Sequence, residues 1–356
     1  VFYIGEIAHT RGDYRTAESS MREYKRLALQ MVTLQPDSMK FRMEEQYAET
    51  NLGVVLWDQR RFAEAAAQFR KALATIEAIA TADPQNNDYQ KSAGEALAWL
   101  GDAERSVGHY PAAVDAYRRG VAVLERLLAT TNDVDYQQRL IPARRTLGML
   151  YAEQGQRNLA IEQFRAAVDQ AAALIPKEPA NTKWLESAVR AKLGLAGQLL
   201  LAGRNDEATT QTTDACQTLD GLARRDRDKP IWQGNYGTCW LMRARLALAA
   251  GDAKAALGSA DTALRTNRSV HSGDAVADAY VVAATGILLG DIRRKLGDAS
   301  GARSAWTSAL TSLPASVAEQ PDEMAERAAL LQRLGRPGDA QPLTARLNSI
   351  GYHAPV

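Results

Sequence analysis

The sequence predicts an all-α chain, a solenoid of about eight helix–turn–helix repeats. Three observations carry that prediction. A small anchor residue recurs at Gly5, Gly53, Gly101, Gly148, Ala196, Ala244, Gly290 and Ala328, at spacings of 48, 48, 47, 48, 48, 46 and 38. A fixed period in this range is the mark of a repeat array, and it is read before local structure. Around each anchor the pattern repeats in detail. Seven residues on stand Gly12, Arg60, Gly108, Gly155, Gly203, Gly251 and Gly297; twelve on, Ala65, Ala113, Ala160, Ala208, Ala256 and Ala302; nineteen on, Ala72, Gly120, Ala167, Ala215, Ala263 and Ala309. Composition agrees: 46% of the 356 residues are hydrophobic but only 6% aromatic, which suits packed Ala-rich helices better than sheets.

Within a repeat the elements follow in order. Leu147, Leu150 and Tyr151, then Ala160, Phe164, Ala167 and Val168, recur at three- and four-residue steps, the spacing of a helical face. Between them Glu153–Arg157 is polar, with Gly155 where a helix ends. Each repeat is therefore helix A, a tight turn and helix B. Small residues twelve and nineteen after the anchor let the two helices approach. A larger residue sixteen on (Phe69, Tyr117, Phe164, Trp306) fills the space between repeats. Linkers read as "TLQPDS" (33–38), "TADPQNND" (81–88), "ATTNDVD" (129–135), "IPKEPANT" (175–182), "RRDRDKP" (224–230) and "SLPAS" (312–316). The repeats fall at 1–35, 36–83, 84–131, 132–179, 180–228, 229–270, 271–314 and 315–350, one solenoid spanning the chain. An aromatic stands twelve residues before five successive anchors: Phe41, Tyr89, Tyr136, Trp184 and Trp232. It reads as a packing plug against the preceding helix B, since stacked identical repeats need one at constant register; a ladder of stacking rings is the alternative. Repeats seven and eight replace it with Asp278 and Ser316, and Gly351 and Pro355 stop the last helix.

This pattern resembles the tetratricopeptide repeat. Repeat three carries it as Leu100, Gly101, Gly108, Tyr110, Ala113, Tyr117 and Gly120; repeat two as Leu52, Gly53, Phe62, Ala65, Phe69 and Ala72; repeat one as Gly5, Gly12, Tyr14, Ala17 and Met21. The resemblance implies a right-handed α-solenoid whose helices A line a concave face. The period departs from the family's usual 34 residues, and the extra length lies between helix B and the next helix A. Helices of about 18–20 residues, near 30 Å long, account for it.

Chemistry is hard to place on this chain. It holds no phosphate loop, dinucleotide fingerprint, zinc-binding His-Glu-x-x-His or nucleophile elbow. His9, His109, His271 and His353 fall in different repeats, and His109 occupies a solvated turn position. The chain reads as a non-enzyme without cofactor or metal. Lys and Arg total 43 against 42 acids, which gives no field for nucleic acid. No apolar run approaches the roughly 18 residues a membrane span needs. Cys216 and Cys239 match no metal spacing and make no disulfide framework; they read as small apolar fillers. With no leader pattern visible, the expected location is cytoplasmic. The sequon at Asn267-Arg268-Ser269 is short enough to arise by chance.

What remains is surface. The resemblance implies that positions −6, −3, +1, +4 and +5 from each anchor face the groove. They include Trp57, Arg105, Arg145, Arg190, Arg245 and Arg294, with Met149, Leu200, Leu241 and Ile287 among them. Such an arginine stripe suits an extended acidic protein or peptide segment, because Arg pairs bidentately with carboxylates; the alternative is a solvated helix face. Trp57 is a candidate partner anchor. The Lys and Asn of the family's chaperone-tail clamp are missing: its positions hold Thr50 and Val54, Ala98 and Asp102, Arg145 and Met149. The expected function is a protein- or peptide-binding scaffold. The tail "LNSIGYHAPV" is similar to tails of long-period arrays in bacterial signalling proteins, which implies the C-terminal interaction or sensor arm of a larger one. A peptide-gated regulator resembling quorum-sensing receptors is the alternative. Self-association through the terminal repeats is also expected, since a solenoid exposes its ends.

Overall fold

The computed structural model describes residues 1–224, 229–315 and 317–354. Ser316, Pro355 and most of the 224–230 linker lie outside the described residues. The chain divides into two compact bodies, Val1–Tyr136 and Gln137–Val356. The first holds α1 (Phe2–Thr10), α2 (Tyr14–Leu34), α3 (Met39–Asp58), α4 (Phe62–Ala82), α5 (Asn87–Val107) and α6 (Tyr110–Thr130). The helix α7 (Val134–Glu153) starts three residues before the division and lies otherwise in the second body. There it is followed by α8 (Arg157–Leu174), α9 (Thr182–Leu201), α10 (Asn205–Ala223), α11 (Pro230–Ala249) and α12 (Ala253–Arg268). The body ends with α13 (Ala275–Lys295), α14 (Ala299–Ser312), α15 (Pro321–Arg333) and α16 (Pro337–Ser349). From α1 to α6, and again from α8 to α16, each helix packs on the next in sequence, and α9 also touches α11 as α13 touches α15. The fold is all-α, built of sequential helix pairs in a tetratricopeptide-like solenoid.

The tight turn is the same backbone event in each pair. The residue seven after the anchor is left-handed throughout, from Gly12 at φ 74° through Gly108 at 88° to Gly335 at 75°. Glycine takes that conformation without a Cβ penalty, and only Arg60, at φ 59°, does so as a side-chain-bearing residue. The next residue caps helix B. Asp13, Asp252 and Asp298 accept from Thr16, Ala255 and Gly301 N–H, satisfying an orphan donor of the first turn.

The pairing of anchor with the residue sixteen on explains the size pattern. A Cβ on Gly53 would lie 2.5 Å from Phe69, one on Gly101 2.5 Å from Tyr117, and one on Gly290 would press on the Trp306 indole. The ring lies directly on the anchor. Where the anchor is Ala, the facing residue is small: Thr212 opposite Ala196, Ala260 opposite Ala244, Thr344 opposite Ala328. Large rings thus need glycine, and a methyl at the anchor excludes them.

The aromatics that open helix A are plugs. Trp184 is buried among Ile141, Ala167, Ala171, Leu174 and Ala188, and donates from its indole to Gln138 Oε1 at 3.0 Å. Trp232 is buried among Val189, Ala215, Leu219 and Leu222. Phe41 and Tyr89 are half-buried. The cap sets this register: Ser38, Asn86 and Asn181 accept from the backbone N–H of Phe41, Tyr89 and Trp184.

Two expectations need correction. Cys216 and Cys239 are buried, but they are not separate fillers: their sulfurs are paired as a disulfide between α10 and α11. Also, α13 is long and apolar enough by composition to cross a membrane. In the fold it packs Tyr280, Ala283, Leu289 and Ile292 against α12, α14 and α15. The sequon is closed as well, since Asn267 is buried and donates to the buried Thr285 Oγ1 at 2.8 Å.

Candidate functional site

Three of the six predicted surface residues meet in one pocket of the second body. The first helices of three consecutive repeats form it: α7 gives Arg145, Met149 and Glu153; α9 gives Arg190, Leu193, Gly197 and Leu200; α11 gives Asn235, Thr238, Met242 and Arg245. Its volume is about 380 Å³, the size of a ligand site rather than of a packing defect. Helical spacing explains the set. Asn235, Thr238, Met242 and Arg245 recur at three- and four-residue steps and so share one face of α11. Phe164 of α8 also lines the pocket. Its ring is held between two glycines: a Cβ on Gly148 would lie 3.1 Å away, and one on Gly194 2.4 Å away.

The three arginines differ in their surroundings. Arg145 donates to Met149 Sδ at 3.1 Å. Arg190 lies 3.7 Å from Glu186, one turn back on its own helix, with its side chain 44% exposed. Arg245 is half-buried and, among the described residues, has no hydrogen bond or ion pair within 4 Å. Burial holds its guanidinium below the usual arginine range, and Glu326 of α15 acts in the opposite sense. That glutamate is a weak counter-charge. Burial first, then Asp322 and Glu323, push its carboxyl up to about 9, so it is largely neutral at pH 7. Asn235 Nδ2 is a second buried donor without a partner. A guanidinium and an amide left unsatisfied on one pocket face are costly unless an acceptor arrives from outside.

A second feature of this pocket could not be read from the repeat. The chain end folds back to its rim: His353 N–H donates to Glu153 O at 2.6 Å, and the His353 ring lies against Gly155. Tyr352 is buried beside it.

The remaining candidates lie elsewhere. Arg294 has its guanidinium 5.3 Å from the Trp306 ring centroid and 3.5 Å from Asp291. Arg105 and Trp57 belong to the first body. Trp57 is half-buried, with edge contacts to Phe62, Phe69 and Trp99 at 6.1–6.4 Å between centroids. The exposed ring of that cluster is Trp99, 38% accessible and stacked on Phe69 at 5.5 Å. Its signal was in the sequence, two residues before Gly101, outside the registers the resemblance points to. His109 is not simply solvated: its Nδ1 lies 2.9 Å from the buried Glu104, which Arg70 also holds.

Comparison with known proteins agrees with this architecture. Tetratricopeptide-repeat family models match residues 50–83 and 146–173. Among solved structures the chain is similar to a tetratricopeptide repeat protein from Parabacteroides merdae, at 15% identity over 94% of this chain and 96% of that one, TM-score 0.54. It is similar to the apo form of the quorum sensor NprR from B. thuringiensis, at 10% identity over 98% and 86%, TM-score 0.57. It is also similar to a Rap protein complexed with competence and sporulation factor, at 13% identity over 97% of each chain, TM-score 0.51. No curated protein sequence matches. At such identities the structural likeness shows the fold alone. Two stretches of the chain match tetratricopeptide-repeat models, and its fold is that of a tetratricopeptide-like solenoid.

Proposed function

We propose that the chain is a binding scaffold whose second body takes an acidic peptide segment in the pocket between α7, α9 and α11. The observation that carries this reading is Arg245, a half-buried guanidinium with no hydrogen-bonded or ion-paired protein partner among the described residues, facing a cavity of about 380 Å³. Arg145 and Arg190 flank it, and one glutamate, Glu153, is the sole acid in the lining. Met149, Phe164, Leu193, Leu200 and Met242 supply apolar walls for the neighbouring side chains of the segment. Asn235 Nδ2 supplies a donor for a backbone carbonyl.

A finer reading makes the peptide a gate, as the likeness to a quorum sensor suggests. It is favoured by the bounded size of the pocket and by the chain end tied to its rim at Glu153. Both readings are tested by selecting from a displayed random-hexapeptide library with the full chain. The expected result is enrichment of peptides with an acidic residue beside apolar ones. Losing one charge-assisted contact, about 1.5–3 kcal/mol, should weaken the best of them roughly 10- to 100-fold in Arg245→Gln. Enrichment unchanged by Arg145→Gln, Arg190→Gln and Arg245→Gln together would remove the pocket from the reading.

A further inference from the structure

The two cysteines of this chain stand where most other repeats carry only hydrocarbon. The register of Cys216, twenty residues after the anchor, holds Leu73, Val121, Val168, Leu264 and Leu310 in five other repeats, with Lys25 and Asn348 in the first and last. The register of Cys239, five residues before the anchor, holds Ala48, Ala96, Ala143 and Ala191 in the four preceding repeats, and Thr285 and Glu323 in the two that follow. Packing therefore does not call for sulfur at either place. The two departures occur in adjacent repeats, in registers that meet. Their Cα atoms are 5.9 Å apart, within the usual span of a disulfide, and the sulfurs are bonded. Each residue is 1% exposed, inside the cluster that holds Trp232 and Leu219.

We propose that Cys216–Cys239 is a permanent structural disulfide and that the chain matures in an oxidising compartment outside the cytoplasm. Reducing pools keep cytosolic thiols free, whereas exported proteins keep such bonds. The chemistry balances as an exchange. The two thiols lose two protons and two electrons, and the disulfide of a protein thiol oxidant accepts them to become a dithiol. Once α10 and α11 close over the bond, an attacking thiolate finds neither sulfur accessible. The cytoplasmic expectation rested on the lack of a visible leader pattern, and the buried bond argues against it.

The bond also has a place in the binding site. It ties α10 to α11 beside a second link, the Tyr236 hydroxyl donating to Asp220 Oδ1 at 2.8 Å. Cys239 lies one turn from Asn235 on α11, the helix that also carries Arg245, so the staple positions that wall of the pocket.

Differential thiol trapping in the cells that produce the full chain tests the proposal. Thiols are blocked with light N-ethylmaleimide under denaturing acid quench; disulfides are then reduced and labelled with the heavy reagent. Heavy label on both cysteines is expected, and light label on both would overturn the proposal. A second measurement reads the structural role. Cys216→Val with Cys239→Ala restores residues that other repeats use in these registers. It should melt a few degrees below the oxidised parent and ignore dithiothreitol, while the parent, unfolded in denaturant, reduced and refolded with dithiothreitol present, falls to the same level. Equal melting of oxidised parent and variant would show that the bond holds nothing.

Discussion

Gly194→Ala in α9 should destabilise the second body, whereas Gly197→Ala, three residues along the same helix, should stabilise it. Alanine gains about 0.5–1 kcal/mol over glycine in a helix interior at both places. They differ in what the new methyl meets. At Gly194 it would lie 2.4, 2.8 and 2.9 Å from three atoms of the Phe164 ring; at Gly197 nothing lies within 4 Å. Ordinary carbon contacts are near 3.5–4 Å, so the ring must retreat by roughly 1 Å. It cannot retreat toward α7, because a Cβ on Gly148 would already lie 3.1–3.2 Å from the same ring. Overpacking of this kind costs about 1–3 kcal/mol. The propensity gain is common to both variants, so their unfolding free energies should differ by that same amount, about 1–3 kcal/mol. Urea unfolding followed by circular dichroism measures the difference. In a Phe164→Leu background, where the ring is gone, it should shrink toward zero. Equal stability of the two alanine variants with Phe164 intact would refute the ring-on-glycine packing.

Further outcomes follow from the turns, the acids and the disulfide. Gly203→Ala forces a side chain into the left-handed region at φ 74° and should lose about 1–2 kcal/mol, read as a lower urea midpoint. Arg60→Gly relieves similar strain at φ 59° but loses a cation–π contact with Phe62 worth about 0.5–1 kcal/mol, so its midpoint should move little or rise. Glu326 titrates near 9 in the folded chain against 4.5 unfolded, so the folded state binds its proton more tightly; stability falls as pH rises between those values and levels off above. Glu326→Gln should remove that part of the slope, seen by comparing urea midpoints of parent and variant at pH 5, 7 and 9. Reducing the Cys216–Cys239 bond reopens a loop of 23 residues' separation and should cost about 3 kcal/mol, read as a drop in the unfolding midpoint.

Much of the fold was legible because its determinants are local and repeated. The left-handed residue after helix A, the alanines where helices touch and the plug capped by Ser38, Asn86 or Asn181 each recur at constant register. The meaning of the ring sizes emerges once Phe69, Tyr117 and Trp306 are seen lying on glycines, because the anchor and its partner are sixteen residues apart. What stayed hidden is what happens once rather than eight times. Cys216 and Cys239 sit in different registers of different repeats, so no periodicity pairs them. The return of His353 to Glu153 joins residues 200 positions apart. The groove registers named Arg105, Arg145, Arg190, Arg245 and Arg294 alike, yet the side chains around each decide its state. Arg294 lies by Trp306 and Asp291, and Arg245 is half-buried with no hydrogen bond or ion pair among the described residues.

Hydrogen–deuterium exchange of the full chain, with and without the best peptide from the hexapeptide selection, tests the binding site most directly. The expected result is protection gathered in α7, α9 and α11, including 235–245, and absent in Arg245→Gln at the same peptide concentration. Protection confined to the first body, or to α10, α12 and α14, would contradict it and place the ligand on another face.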